Sequence, residues 1–182
     1  MTTAHHGAVP GGAGAADDDA GTRTHRAAAL KERVYVSFTA LAVIVTLRAH
    51  DPHAGAGTAA GTLAVAVAAT VCAVYLADLL SHMVVHSHLP DRTEHRRIVT
   101  GTLGAASVAL PPLVCIALSG TGLYSTSAGL IAAMVVTVAT LTAVGVLAVR
   151  NLDLPPLHRL VILAAEAVLA VLVLALGVLA HQ

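Results

Sequence analysis

Five apolar runs separated by short polar segments make up most of the chain, and a polar stretch precedes them. The runs are apolar on every face, which excludes the alternating strands of a membrane β-barrel. Backbone groups in lipid must bond internally, so each run is predicted to be a helix. A bilayer core requires roughly 20 apolar residues per helix; the last four runs meet that length and the first is marginal. The runs are residues 34–47, 62–85, 98–118, 128–149 and 160–180.

The predicted fold class is therefore all-α, a polytopic transmembrane bundle of about five helices. Residues 31–182 form the transmembrane helical domain in this interpretation. Residues 1–30 are mostly Gly, Ala, Thr, Asp and His with little to bury, which predicts a disordered cytoplasmic tail.

The composition supports the same assignment. Hydrophobic residues make up 57% of the 182 residues and charged residues only 11%, whereas a soluble domain carries roughly 25% charge. Ten basic residues balance ten acidic ones, so no net positive charge attracts nucleic acid. The lipid bilayer is the predicted partner.

The short loops predict the orientation of the chain. Arginines concentrate in the loops after the second and fourth runs, and Lys31 and Arg33 precede the first. By the positive-inside rule these segments face the cytoplasm. The chain is predicted to be a multi-pass plasma-membrane protein with a cytoplasmic N-terminus and an external C-terminus.

Two local patterns bear on how the helices pack. Pro111-Pro112 is expected to kink or break the third helix. Small residues recur at intervals of four, as in Gly129 and Ala133, which allows close approach of helices in lipid. Ala69, Ala73 and Ala77 form such a stripe on the second helix, and Gly101 with Ala105 on the third.

The two cysteines are expected to be free thiols. Cys72 falls near the middle of the second run and Cys115 near the outer end of the third, so their predicted depths in the bilayer differ.

The candidate chemistry lies at the end of the second helix. Asp78, His82 and His86 follow each other at intervals of four, so they stack on one helix face. Tyr75 extends this stripe by one turn. Ionisable side chains within a membrane segment avoid lipid and are candidates for function.

Glu166 is the expected partner of this stripe, because it is the only carboxylate in the fifth run. It follows His158 by eight residues, or about 12 Å along a helix. Asp78 precedes His86 by the same interval, so on antiparallel helices Asp78 and Glu166 have similar depths. The predicted metal ligands are Asp78, His82, His86 and Glu166, with Tyr75 and His158 as secondary polar candidates.

These residues leave three functions open. Two carboxylates with imidazole suit a divalent Zn, Mn or Fe ion, and they also suit a proton relay. The first hypothesis is an ion- or metal-handling transporter, which with only five helices predicts a homo-oligomer. The alternatives are a membrane-embedded metalloenzyme and a structural or accessory protein in which the cluster serves packing. A non-enzymatic role is favoured.

Short motifs carry a family resemblance, namely residues 33–35, 41–44, 75–82 and 110–113. Through them the chain resembles small uncharacterised integral membrane proteins of high-GC Gram-positive bacteria. The resemblance implies a membrane architecture and assigns no catalytic residues.

Overall fold

The protein is a bundle of helices, and the fold class predicted from the sequence is confirmed. The computed structural model describes residues 13–51, 54–150 and 155–179, and no β-strand occurs within those ranges. The elements are α1 (Ala13–His50), α2 (Ala56–His86), α3 (Arg92–Ala106), a 3-10 turn (Ser107–Ala109), α4 (Leu110–Ser119), α5 (Thr126–Arg150) and α6 (Pro156–Leu179). Because α3, the turn and α4 are continuous, these elements form five helical segments, one for each apolar run.

Helix α1 begins earlier than its apolar run. It starts at Ala13, within the stretch 1–30 for which the sequence predicts a disordered tail. The first part of that stretch, residues 1–12, lies outside the described residues. The disorder, the cytoplasmic location and the domain boundary near residue 30 remain predictions.

Helix α1 occupies the centre of the bundle. It packs against α2, α3, α5 and α6. Val36, Ala40 and Ile44 lie at intervals of four on a buried face, with Leu41 buried beside them. The shortest apolar run therefore forms the helix with the most neighbours, since protein rather than lipid covers much of its surface.

The third helical segment is interrupted just before the proline pair, where the sequence predicts a kink or a break. A single 3-10 turn, Ser107–Ala109, separates α3 from α4, and the prolines lie in the first turn of α4. Proline is tolerated in that turn because its missing N–H has no partner within the helix. Its ring would clash with the preceding carbonyl in a continuous α-helix.

Among the described residues, four segments are long and apolar enough to cross a membrane: Ala56–His86, Arg92–Ser119, Thr126–Arg150 and Pro156–Val173. Their outward-facing side chains are also apolar. Exposed examples from each segment are Val65, Leu76, Val84, Leu103, Val114, Val135, Leu147, Val168 and Leu172. Exposed apolar surface on this scale is characteristic of helices that contact lipid.

The connection between α4 and α5 depends on close packing at one glycine. Gly129 and Ala133 are buried, as their spacing suggests. A Cβ atom built on Gly129 would lie 3.0 Å from the Ser119 Cβ and 3.2 Å from the Tyr124 Cε2. The Tyr124 hydroxyl donates a hydrogen bond to the Cys115 carbonyl. This contact holds the end of α4 against the start of α5.

Candidate functional site

The end of α2 carries the polar stripe that the sequence predicts. Asp78 and His82 are partly buried, whereas His86 is exposed. The helix ends at His86, and Ser87 adopts a left-handed conformation with φ 58° while its N–H donates to the Met83 carbonyl. This C-cap turns the chain, so that the next histidine lies beside the last turn of α2.

His82, His86, His88 and Glu94 form a compact group that we call the histidine corner. The ring centroids of His82 and His86 are 4.5 Å apart, and the His88 ring lies 5.6 Å from His82 and 5.8 Å from His86. His82 Nε2 is 3.3 Å from Glu94 Oε2. The last two turns of α2 therefore meet the first turn of α3 through imidazole and carboxylate groups.

A capping box fixes the position of Glu94. The Asp91 side chain accepts hydrogen bonds from the backbone N–H groups of Thr93 and Glu94, and the Asp91 N–H donates to Glu94 Oε2 at 2.9 Å. Such reciprocal bonds satisfy two donors at a helix N-terminus. The Glu94 carboxylate is thereby held at the start of α3, facing α2.

Tyr75 makes a second contact between the same two helices. Its hydroxyl lies 3.4 Å from His95 Nδ1, and the two rings meet edge to face with centroids 5.9 Å apart. Tyr75, a secondary candidate in the sequence, therefore contacts α3 rather than the other residues of its own stripe.

Asp78 has a partner that the sequence reasoning missed. Glu32 of α1 is 3% exposed, and its side chain hydrogen-bonds to that of Asp78. Its Oε2 lies 3.9 Å from where a Cβ on Gly101 of α3 would be. This contact brings two carboxyl groups together where α1, α2 and α3 meet.

The periodicity of α1 could have revealed Glu32. The buried positions Val36, Ala40 and Ile44 recur every four residues, and Glu32 lies four residues before the first of them. Extending the buried face by one turn predicts a buried carboxylate. Glu32 lies outside the apolar run, so the hydrophobic pattern alone does not indicate that its carboxylate is buried.

Glu166 occupies a different contact. Helix α6 packs on α1 and α5, and the Glu166 carboxylate fills space that Gly145 of α5 leaves open, where a Cβ would overlap it. Its Oε1 is buried and makes no hydrogen bond with the described residues. His158 lies in the first turn of α6 and is exposed.

The predicted ligands thus divide among three places. Asp78 meets Glu32, Glu166 meets Gly145, and His82 lies in the histidine corner. Over the described ranges, His82, His88 and Glu94 are the three potential ligands whose donor atoms all lie within 4.8 Å of one another. Asp78, His86 and Glu166 do not join this group. The assignment of Asp78, His82, His86 and Glu166 as one metal site remains a prediction.

The arrangement permits two kinds of chemistry. The Glu32–Asp78 pair places two carboxyl groups in contact between helices, and the histidine corner presents imidazole and carboxylate donors to a cation. Both cysteines are free thiols, as expected, with Cys72 exposed and Cys115 partly buried.

Within the part of the chain that the structure describes, five helical segments, four of them long and with apolar outward-facing surfaces, define a multi-pass helical membrane protein. The chain belongs to the family described as the mechanosensitive ion channel inner membrane domain 1, whose family model matches residues 23–152. No curated protein and no solved structure matches the chain.

The family match covers the structural elements unequally. It includes most of α1 and all of α2 to α5, and therefore Glu32, Asp78 and the histidine corner. Helix α6, with His158 and Glu166, lies after the matched residues. The match confirms a multi-pass inner-membrane protein in contact with the lipid bilayer. An origin in high-GC Gram-positive bacteria remains a prediction.

Proposed function

We propose that the protein is the membrane domain of a mechanosensitive ion channel, which responds to bilayer tension by letting ions cross. The observation that carries this proposal is the family match over residues 23–152, which coincides with the packed helices α1 to α5. Lipid-facing apolar surface on the four candidate spans couples such a bundle to the bilayer.

The packing within one copy indicates that ions would cross the membrane between copies rather than through a single copy. The bundle interior contains Leu41, Ile44, Leu63, Ile116 and Leu130, each fully buried. An ion cannot cross such an apolar core without a large desolvation cost. An ion pathway therefore requires surfaces from several copies, which supports a homo-oligomer.

Helix α2 offers a surface for contact between copies. Ala69, Ala73 and Ala77 are exposed, as are Gly57 and Gly61 nearer the start of the helix. Small residues let neighbouring helices approach closely in lipid, where van der Waals packing drives association. We place α2 at the interface between copies.

Cys72 tests this interface without any engineered cysteine. It is exposed on α2 beside Ala69 and Ala73, so two α2 helices in contact bring two Cys72 thiols together. Oxidation with copper phenanthroline in membranes is expected to give a disulfide-linked dimer in the parent and in Cys115→Ala. The dimer should be absent in Cys72→Ala, as measured on non-reducing gels. A disulfide-linked dimer that persists in Cys72→Ala, or the absence of a dimer in the parent, argues against α2 as the interface.

The polar residues have a place in this proposal. The Glu32–Asp78 pair ties α1 to α2, and opening of the bundle would separate them. Ion, proton or metal handling through Asp78, His82, His86 and Glu166 remains part of the proposal. The proposed orientation, with a cytoplasmic N-terminus, puts the histidine corner on the cytoplasmic side.

Conductance under tension tests the function directly. Purified protein in liposome patches is expected to show discrete current steps that increase with suction, because tension favours states with a larger area in the membrane. The control is the same lipid without protein. Protein that lacks tension-dependent current but carries protons down a pH gradient would instead be a transporter that uses the carboxylates.

The second candidate is a structural or accessory membrane domain without a pore of its own. The largely apolar core of a single copy favours it. Neither current nor proton flux from well-folded protein, together with the oligomeric contact through Cys72, would support this candidate over a channel.

A further inference from the structure

We propose that the histidine corner binds a divalent metal ion of the zinc type, with His82, His88 and Glu94 as protein ligands. This set shares only His82 with the ligands predicted from the sequence. The inference goes beyond the proposed function, because it concerns the junction of α2 with α3 rather than a path for ions.

The donor types and their spacing support a metal. Two imidazoles and a carboxylate are a ligand set that Zn²⁺ accepts, with a fourth position left for water or another residue. Zinc–ligand bonds of about 2.0–2.1 Å place tetrahedral donor atoms roughly 3.4 Å apart. His82 Nε2 and Glu94 Oε2 are already 3.3 Å apart, and all three donor atoms lie within 4.8 Å of one another.

Hydrogen bonds outside the ligand set orient two of the ligands. His88 Nδ1 lies 2.9 Å from the Leu89 carbonyl oxygen, which can only accept, so Nδ1 carries the proton. In the neutral ring this leaves the Nε2 lone pair free for a metal. The backbone N–H of Asp91 holds Glu94 through Oε2. Hydrogen bonds of this kind, from groups that do not bind the metal themselves, orient the ligands at metal sites.

His82 provides the third argument. Its side chain is 13% exposed, and its buried Nε2 makes no hydrogen bond of good geometry with the described residues. The His86 ring lies beside it, with its centroid 4.5 Å from that of His82. His82 Nε2 faces a carboxylate and two further imidazoles. A cation bound between these groups would give this buried nitrogen the partner that it lacks.

The metal would connect two helices. His82 lies in the last turn but one of α2 and Glu94 in the first turn of α3, and the short segment 87–91 joins them. A bound ion would therefore fix the angle at which two candidate membrane spans leave this end of the bundle.

The experiment uses the full chain, purified without a polyhistidine tag, reconstituted in lipid nanodiscs and stripped with EDTA. Titration with ZnCl₂ by calorimetry, with elemental analysis of the complex, is expected to give one Zn²⁺ per chain. His88→Ala and Glu94→Gln should each weaken binding at least about tenfold. Glutamine keeps the capping box of α3, and His88 is exposed, so neither variant removes a core contact.

Matched controls separate this site from others. His158→Ala, an exposed histidine at the start of α6, and the double variant His5→Ala/His6→Ala are expected to bind Zn²⁺ as the parent does. Co²⁺ should give the visible absorption of a tetrahedral site in the parent and lose it in His88→Ala.

Three results would overturn the proposal. They are a parent that binds no Zn²⁺, equal binding by the parent and by both ligand variants, and binding that disappears in Asp78→Asn or Glu166→Gln but persists in His88→Ala. The last result would restore the ligand set predicted from the sequence. None of these measurements depends on channel activity, so failure of one proposal leaves the other open.

Discussion

Asp78→Ala is expected to destabilise the bundle by about 2–3 kcal/mol, because it leaves the Glu32 carboxyl buried without its partner. Glu32 is 3% exposed and hydrogen-bonds to Asp78 where α1 and α2 meet. Its other oxygen, Oε2, already makes no hydrogen bond with the described residues. Loss of Asp78 therefore leaves a nearly inaccessible carboxyl group unsatisfied.

The measurement is unfolding in mixed micelles, with Glu32→Ala, Asp78→Ala and the double variant compared as a cycle. Removing both groups abolishes the unsatisfied carboxyl, so the double variant should lose at least about 1 kcal/mol less than the sum of the two. Asp78→Asn keeps a hydrogen-bonding side chain and should lose less than Asp78→Ala. Ser81→Ala, an exposed polar position on α2, is the matched control and should change little. Additive losses would show that the two carboxyl groups do not interact.

Gly129→Val is expected to cost about 3 kcal/mol, at the upper end of typical overpacking costs. Even the first side-chain atom at this position would lie 3.0 Å from the Ser119 Cβ, and valine adds two methyl groups. The neighbours are held in place, since the Ser119 hydroxyl donates to the Ile116 carbonyl at 2.6 Å. The Tyr124 hydroxyl is bonded in turn to the Cys115 carbonyl. Relief of the clash therefore requires α4 and α5 to move apart.

Ala128→Val is the control for this substitution. Ala128 precedes Gly129 on the same helix but is exposed, so the added methyl groups face outward. Its stability in the same mixed-micelle assay should remain within about 0.5 kcal/mol of the parent, as is usual for surface substitutions. Equal losses in the two variants would mean that helix propensity, rather than contact between α4 and α5, sets the cost.

Much of the fold could be predicted because each helix is encoded locally. Within the described residues, all five apolar runs correspond to helical segments, and the 3-10 turn before Pro111-Pro112 follows from the missing N–H and the rigid ring of proline. The start of α1 at Ala13 could not be anticipated in the same way, since residues 13–30 lack the hydrophobic pattern that reveals the other helices.

The candidate site was harder to predict because it depends on which helices are neighbours. Spacing placed Asp78, His82 and His86 on one face of α2, and depth alone suggested Glu166 as their partner. Depth does not determine which helices pack together. Glu32 and Glu94, the two carboxylates that contact this stripe, lie outside the apolar runs, where charged residues are ordinarily solvated.

The sequence by itself determined a membrane-embedded helical bundle, because bilayer thickness and the need to satisfy backbone hydrogen bonds act on each apolar run separately. Only the tertiary structure decided the partners of the polar side chains. Helix α1 lies at the centre and brings Glu32 to Asp78, and the left-handed Ser87 turns the chain so that His88 and Glu94 meet His82. These contacts join residues from different helices, and the pattern within a single helix carries no information about them.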